Sequence, residues 1–393
     1  MIFPLPLSAI CLKVIGLCTI FFLMTSDPIA LVCPLDWGLG HATRCIPVIY
    51  SLRDQGIKVI VAADGRPWDF FHNEYPGLDL LRFPGTEVRY PSGTNMVLAM
   101  AANIPRLLNG FRLEHAFLKK LVKETGARLE VSDNRYGCWH TGVKSVFMTH
   151  QLNIQVPEGL HWSAHPLRKI TSAFIGKYDE CWIPDVEDEG GLSGRLSHFS
   201  GLPGHCHFIG PLTRFSSRGP EADELPCPIA DIVVMISGPE PQRSILESLV
   251  IKQLKETSHT AIIAGGRTES TDREIIDGRI YVFPHLESAL MKYYLGHARF
   301  VICRSGYSTL MDLAALGKTA ILIPTPGQTE QEYLARRLSK KKIHYSVSQK
   351  NFNLGAALED SAGFTGVLLQ NDLTALRQRV KRMYDQAAIR RAR

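Results

Sequence analysis

Two series of short apolar runs, each alternating with amphipathic stretches, constrain this chain more than any other feature. The first series is IALVC from Ile29, then KVIVAAD, LDLLRFPG, RLEVSDN, SVFMTHQL and ECWIPD. The second runs from DIVVMISG through HTAIIAGG, RIYVFPH, RFVICRSG and TAILIPTP to IHYSVSQ. Apolar runs of this length that end in polar residues read as buried strands. The stretches between them read as helices. TRCIPVIYSLRDQG is one, expected to begin near Ala42 and closed by Gly56. GRPWDFFHNEYP reads as a short helix or turn, and Asn95 to Gly126 as a long helical region broken at Pro105. This alternation gives parallel sheets with helices on both faces.

The segment RFSSRGPEADELPCP, Arg214 to Pro228, breaks the rhythm. It is polar, rich in proline and charge, and without periodicity, so it reads as a linker. A chain of 393 residues also exceeds one ordinary core. The expected fold class is α/β: two Rossmann-like, doubly wound domains over residues 29–213 and 229–370, joined by the linker 214–228. Such domains face an interdomain cleft, with ligands at the carboxyl ends of the strands.

Composition narrows the function classes. The apolar fraction is 45% and the charged fraction 21%, ordinary for a globular enzyme. A net charge of +6 is too mild and too dispersed for a nucleic-acid stripe. The nine cysteines are scattered and contain no C-x-x-C pair, which points to a reducing compartment without a disulfide framework. Ile10 to Met24 is apolar but short for a membrane span. Signal cleavage near Ala30 would cut the first strand, so residues 1–28 read as an uncleaved anchor or an extension. Residues 371–393 read as a basic helix, either with a solvated face or touching a membrane surface. The expected location is cytoplasmic, with association to the inner face of the membrane as the sharper form of that reading.

The stretch VICRSGYSTLMDLAALGKTAILIPTPGQTEQEYLARRL, Val301 to Leu338, carries most of the chemistry. Arg304, Ser305 and Gly306 form the turn after a strand, and Ser308 or Thr309 is placed to cap the following helix. A helix start with free backbone N–H groups binds phosphate by geometry and dipole. Arg304 adds a charge-assisted bond there. Asp312, one turn on, suits ribose hydroxyls. Gln328, Thr329, Glu330, Gln331 and Glu332 bring amides and carboxylates suited to sugar hydroxyls. The combination fits a nucleotide sugar.

This stretch resembles the donor-binding signature of GT-B glycosyltransferases of family 28, the group of the MurG-type N-acetylglucosamine transferases and the plant galactolipid synthases. The resemblance implies that Ser305 and Gly306 open the helix, that Asp312 binds ribose, and that Gln331 with Glu332 contacts the sugar. Two positions depart from the pattern: Asp312 stands where glutamate is usual, and Glu332 where a second glutamine is usual. VVMISGPEP, with Ser237 and Gly238, resembles the loop that approaches the donor diphosphate. YVFPHLESAL resembles the nucleobase-holding segment, with backbone reading near His285 and Leu286.

In DWGLGHATRC, Gly38 and Gly40 allow close backbone approach, and His41 sits at a helix start. The positive helix end favours neutral imidazole, the form a general base needs. The resemblance places His41 on the donor-phosphate and acceptor side. A dinucleotide fingerprint fails here, because its third glycine position holds Thr43. Asp36 orients His41, contacts the acceptor, or is only the polar end of a strand. Arg44 meets an acceptor phosphate or forms a surface ion pair. Asp133, Arg135 and His150 end later strands and are expected on the acceptor rim, with a buried role open for His150. His198, His205, Cys206 and His207 match no structural zinc spacing, so no metal or other cofactor is expected.

The expected function is inverting, metal-independent transfer of a hexosyl group, N-acetylglucosamine first, from a UDP-sugar to a glycan or lipid-linked acceptor. His41 or a nearby acid takes the acceptor proton, and helix dipole and Arg304 replace a metal, since no Asp-x-Asp motif occurs. The alternatives are a UDP-N-acetylglucosamine epimerase of the same fold and a non-catalytic sugar-nucleotide sensor.

Overall fold

A computed structural model describes residues 28–83, 85, 96–156, 159, 161–216, 225–370 and 372–390. The apolar segment Ile10 to Met24 and the middle of the expected linker lie outside them. The first sheet has seven parallel strands: β1 Ile29–Pro34, β2 Lys58–Ala63, β3 Asp79–Arg82, β4 Leu129–Asp133, β5 Lys144–Met148, β6 Glu180–Ile183 and β7 Cys206–Phe208. Their spatial order is β3-β2-β1-β4-β5-β6-β7.

The strand period of two explains why β1 is apolar throughout. Ala30 and Val32 face the cluster that holds Ala42, Ile46 and Ile49 of α1, Leu39–Arg53. Leu31 and Cys33 face Leu118 and Leu121 of α3, Met96–Thr125. Between these helices in the chain lies α2, Gly65–Glu74. Helices cover both faces, so no position of the strand is left for a polar side chain. α1 begins at Leu39, three residues before the expected start, and α3 runs unbroken through Pro105. Pro105 is solvent-exposed, so water can satisfy the carbonyl its missing N–H leaves over. The first domain also contains α4, His161–Ile175.

The second sheet has the order β10-β11-β9-β8-β12-β13-β14. Its strands are β8 Ile232–Met235, β9 Ala261–Ala264, β10 Glu274–Ile276, β11 Ile280–Phe283, β12 Phe300–Cys303, β13 Ile321–Leu322 and β14 Tyr345–Ser346. β10 pairs antiparallel with β11; the remaining pairs are parallel. The helices are α5 Gln242–Lys255, α6 Ser288–His297, α7 Tyr307–Ala315, α8 Thr329–Lys340 and α9 Leu354–Asp360.

The last helix, α10 Thr374–Arg390, does not stay with the second sheet. It packs against α1, β4 and β5 of the first. Leu376, Val380 and Met383, spaced at three to four residues, are buried there. Arg379 pairs with Glu180 at 3.5 Å. The basic helix expected from the tail therefore has one apolar face used for fixing the first domain. No described helix is long and apolar enough to cross a membrane.

Candidate active site

Each sheet reverses its strand order once, between β1 and β4 in the first and between β8 and β12 in the second. Open α/β sheets bind ligands at such switch points, outside the carboxyl ends of the strands. The two switch points face each other. Ser308 Oγ on α7 donates to the Gly40 carbonyl on α1 at 2.7 Å. A Cβ on Gly40 would lie 3.0 Å from that hydroxyl, so glycine sets how closely the halves approach.

On the first-domain side, one buried guanidinium organises the site. Arg44 Nε donates to Asp133 Oδ2 at 2.7 Å, and Nη2 to Asp133 Oδ1. Nη2 also reaches His41 Nδ1 at 2.8 Å, and Nη1 reaches His150 Nδ1 at 3.2 Å. Arginine has donors and no acceptor, so His150 Nδ1 must accept, whereas His41 Nδ1 also lies 3.2 Å from Asp133 Oδ2 and so stands between a donor and an acceptor. His150 therefore carries its proton on Nε2. His150 Nε2–H donates across the cleft to Glu330 Oε1 at 2.6 Å, while its ring stacks on Tyr307 at 4.0 Å and 4°. His41 Nε2 has no hydrogen-bond partner among the described residues.

The electrostatics follow from these contacts. Burial, then the Arg44 charge, pushes the His41 pKa below its ordinary value, against Asp133. Burial alone would raise Asp133, but Arg44 and His41 outweigh it and hold the carboxyl below the usual range. Glu330 is likewise held low, by His150 and Arg44 against burial. Asp36 differs. Burial pushes its pKa up, against Arg135, and its buried Oδ1 has no hydrogen-bond partner among the described residues. Gly85 makes room for that carboxylate: a Cβ there would collide with it. His41, Asp36 and Arg44 are thus brought together, with Asp133 and His150. Arg135 is not on the rim as expected. Fully buried, it donates to the Pro34 carbonyl at 2.9 Å and pairs with Glu114 of α3 at 3.3 Å.

On the second-domain side, Gly306 is the N-cap of α7 and no side chain caps it. Neither Ser308 nor Thr309 takes that part, because Ser308 is spent on Gly40. The first-turn N–H groups are left facing the cleft, as a phosphate site requires. Arg304 departs from expectation. It is fully buried and donates to the carbonyls of Ile323, Pro324 and Gln242 at 3.1, 3.3 and 2.7 Å. Its guanidinium holds three loops together, and burial lowers its pKa to about 10. Ser305 Oγ donates to the Gln331 carbonyl at 2.8 Å.

The stretch expected as a glutamine loop is the first turn of α8, knit to the loop before it. Gln331 Oε1 accepts from the Thr325 N–H at 2.9 Å, its Nε2 donates to Gln328 Oε1 at 2.6 Å, and Glu332 accepts from the Gly327 N–H at 2.9 Å. Asp312 accepts from Thr213 Oγ1 at 2.6 Å and pairs with Arg214 Nε at 3.2 Å, which fastens α7 to the segment joining the domains. Ser237 and Gly238 follow β8, and Gly238 has φ 106°, a conformation that favours glycine. Leu286 is buried. His285 Nε2 donates at 2.7 Å to Glu74 at the end of α2.

The sequence reading missed two cleft-bridging carboxylates. Glu330 sat among the loop residues but points across the cleft while its neighbours point inward. Glu74 carried no motif at all. Its Oε2 accepts from Ser288 N at 2.9 Å and Ser288 Oγ at 2.7 Å, so a first-domain side chain caps α6 of the second.

Comparisons with known proteins show the family and the fold. The Glycosyltransferase family 28 C-terminal domain matches residues 244–385. A UDP-N-acetylglucosamine--N-acetylmuramyl-(pentapeptide) pyrophosphoryl-undecaprenol N-acetylglucosamine transferase from Methylorubrum extorquens is 33% identical over 332 residues, 82% of this chain and 84% of its own. The chain belongs to glycosyltransferase family 28. A relative of the same name from Caldanaerobacter subterraneus is 27% identical over 133 residues, and the match spans 31% of this chain and 36% of its own length. The family 28 chain also shares its fold with the glycotransferase of kitacinnamycin, at a TM-score of 0.59, 14% identity, 93% of this chain and 98% of the other. The fold is GT-B, two Rossmann-like domains with a cleft between their switch points.

Proposed function

We propose that this chain is an inverting, metal-independent transferase that moves N-acetylglucosamine from UDP-N-acetylglucosamine to a lipid-linked acceptor. The approach of α7 to Gly40 carries the reading. It sets helix N–H groups that no side chain caps against the imidazole of His41, so that a diphosphate between them meets donors from both domains. His41 Nε2 meets no hydrogen-bond partner among the described residues, which leaves it to face a phosphate oxygen. The nearby acid, Asp36, takes the acceptor hydroxyl's proton as that oxygen attacks the sugar carbon and UDP departs with the bonding pair. The Methylorubrum extorquens relative's name contains a pyrophosphoryl-undecaprenol acceptor, which supports a lipid-linked acceptor and a site of action at the membrane surface. Asp312 stays the ribose candidate, with a ribose hydroxyl taking the place of Thr213.

The test is transfer from UDP-N-acetylglucosamine as a function of pH for the native chain, Asp36→Asn and His41→Gln. Asp36→Asn is expected to lower kcat by about 10² to 10⁴, the usual worth of a general base. Because a base must be ionised and the Asp36 pKa is raised, native activity falls as pH drops through a value above the ordinary carboxylate range. An unaltered rate in Asp36→Asn would overturn its role. Thermal stabilisation by GDP- or dTDP-sugars but not UDP-sugars would overturn the donor.

A further inference from the structure

Behind the rim, on the face of the first sheet covered by α3, lies a group that the transfer reaction does not use. The Sγ atoms of Cys33 and Cys138 and a carboxylate oxygen of Glu130 all lie within 4.8 Å of one another, and all three residues are buried. Cys33 is on β1 and Glu130 on the neighbouring β4. Cys138 is on the turn that follows β4. Both Glu130 oxygens are shut from solvent and meet no hydrogen-bond donor in good geometry, although the Ser145 hydroxyl on β5 is near. Inside an apolar cluster such a group is either held protonated by its burial or accompanied by a positive charge. No arginine or lysine is paired with it among the described residues.

We propose that Cys33, Glu130 and Cys138 form a structural site for a thiolate-seeking divalent cation, with zinc as its occupant. Two thiolates and one carboxylate are a donor set zinc accepts, and two sulfurs at zinc bonding distance stand about 3.8 Å apart. The two unpartnered oxygens let Glu130 bind through both, which completes four donor atoms. Coordination replaces the protons of the three side chains with the ion. The turn that presents Cys138 is rigid, as a metal site needs. Gly137 lies so close to the Phe111 carbonyl that no Cβ fits, its N–H donates to Glu114 Oε2 at 3.2 Å, and Tyr178 Oη donates to the Arg135 carbonyl at 2.5 Å. Bound there, the ion ties β1 to the turn after β4, beneath Asp36 and Asp133. A disulfide between the two cysteines would leave Glu130 uncompensated, and so explains less.

The test is metal analysis of the full chain purified under reductant, with a cobalt titration of the chelated protein. Stoichiometric zinc, a thermal midpoint that falls on chelation, and a sulfur-to-cobalt absorption band are expected. Glu130→Gln keeps the size and removes the charge, and is expected to weaken zinc retention by at least about tenfold. Zinc-free native protein whose midpoint ignores added zinc and which gives no cobalt–sulfur band overturns the site. So does equal zinc content in native, Glu130→Gln and Cys138→Ser chains. The cobalt titration uses native protein, so the proposal stays testable if a variant fails to fold.

Discussion

Arg44 sets the chemistry of its neighbours. A lysine there would keep the charge but lose the planar fork that reaches Asp133, His41 and His150 together. Arg44→Lys is expected to lower kcat and to shift its pH profile, because the His41 and His150 rings lose their shared donor; an unaltered profile would count against that role of Arg44. Asp133→Asn leaves Arg44 buried without its counter-ion, a loss of about 3 to 5 kcal/mol by analogy with other buried pairs. The pH dependence has a definite sign. The folded pKa of Asp133 is depressed, so its stabilisation is full above the unfolded value of about 3.9 and fades as pH falls below it. Urea unfolding across that range should show a shallower acid loss in Asp133→Asn than in the native chain. The sequence marked His41 as a candidate because a histidine beside two glycines after a strand is uncommon in a plain turn. Its partners were not legible, because they depend on Arg44, one turn away, pointing inward rather than to solvent.

At the level of elements, starts and stops came through less well than types. The start of α1 was misplaced because Gly38, not a polar side chain, is its N-cap. α7 likewise begins at a glycine. The N-terminus of α6 is finished by Glu74 from the other domain, which no local pattern could reveal. Glu74→Ala is expected to cost about 1 kcal/mol, the usual value of a lost cap, and to expose the α6 amides to hydrogen exchange. Burial would raise the Glu74 pKa, but the bonds from His285 and Ser288 and the Arg214 charge lower it, so the cap persists at neutral pH and weakens as pH falls into the carboxylate range. Unaltered exchange in α6 would show that the cap contributes nothing there.

For the whole molecule, closure and the crossing of the last helix decide the shape of the cleft. Glu330 of α8 with His150, and Ser308 of α7 with Gly40 of α1, clasp the two domains. Glu330→Ala is expected to widen the average separation seen by small-angle scattering and to raise KM for the donor more than it changes kcat; an identical scattering profile would remove the clasp. Leu376 on α10 is completely buried against the first domain, so Leu376→Ala is expected to destabilise by about 2 to 5 kcal/mol in denaturant unfolding. The sequence alone determined the α/β class, the division into two doubly wound halves and the family signature from Val301 to Leu338, because apolar runs of strand length and glycine turns are local and repeat along the chain. Only the tertiary structure decided that Arg304 and Arg135 are internal ties, that Glu330 and Glu74 bridge the domains, and that α10 returns to the first sheet. Each of those depends on which side chains residues far apart in the chain place within hydrogen-bond reach, and no local pattern encodes that distance.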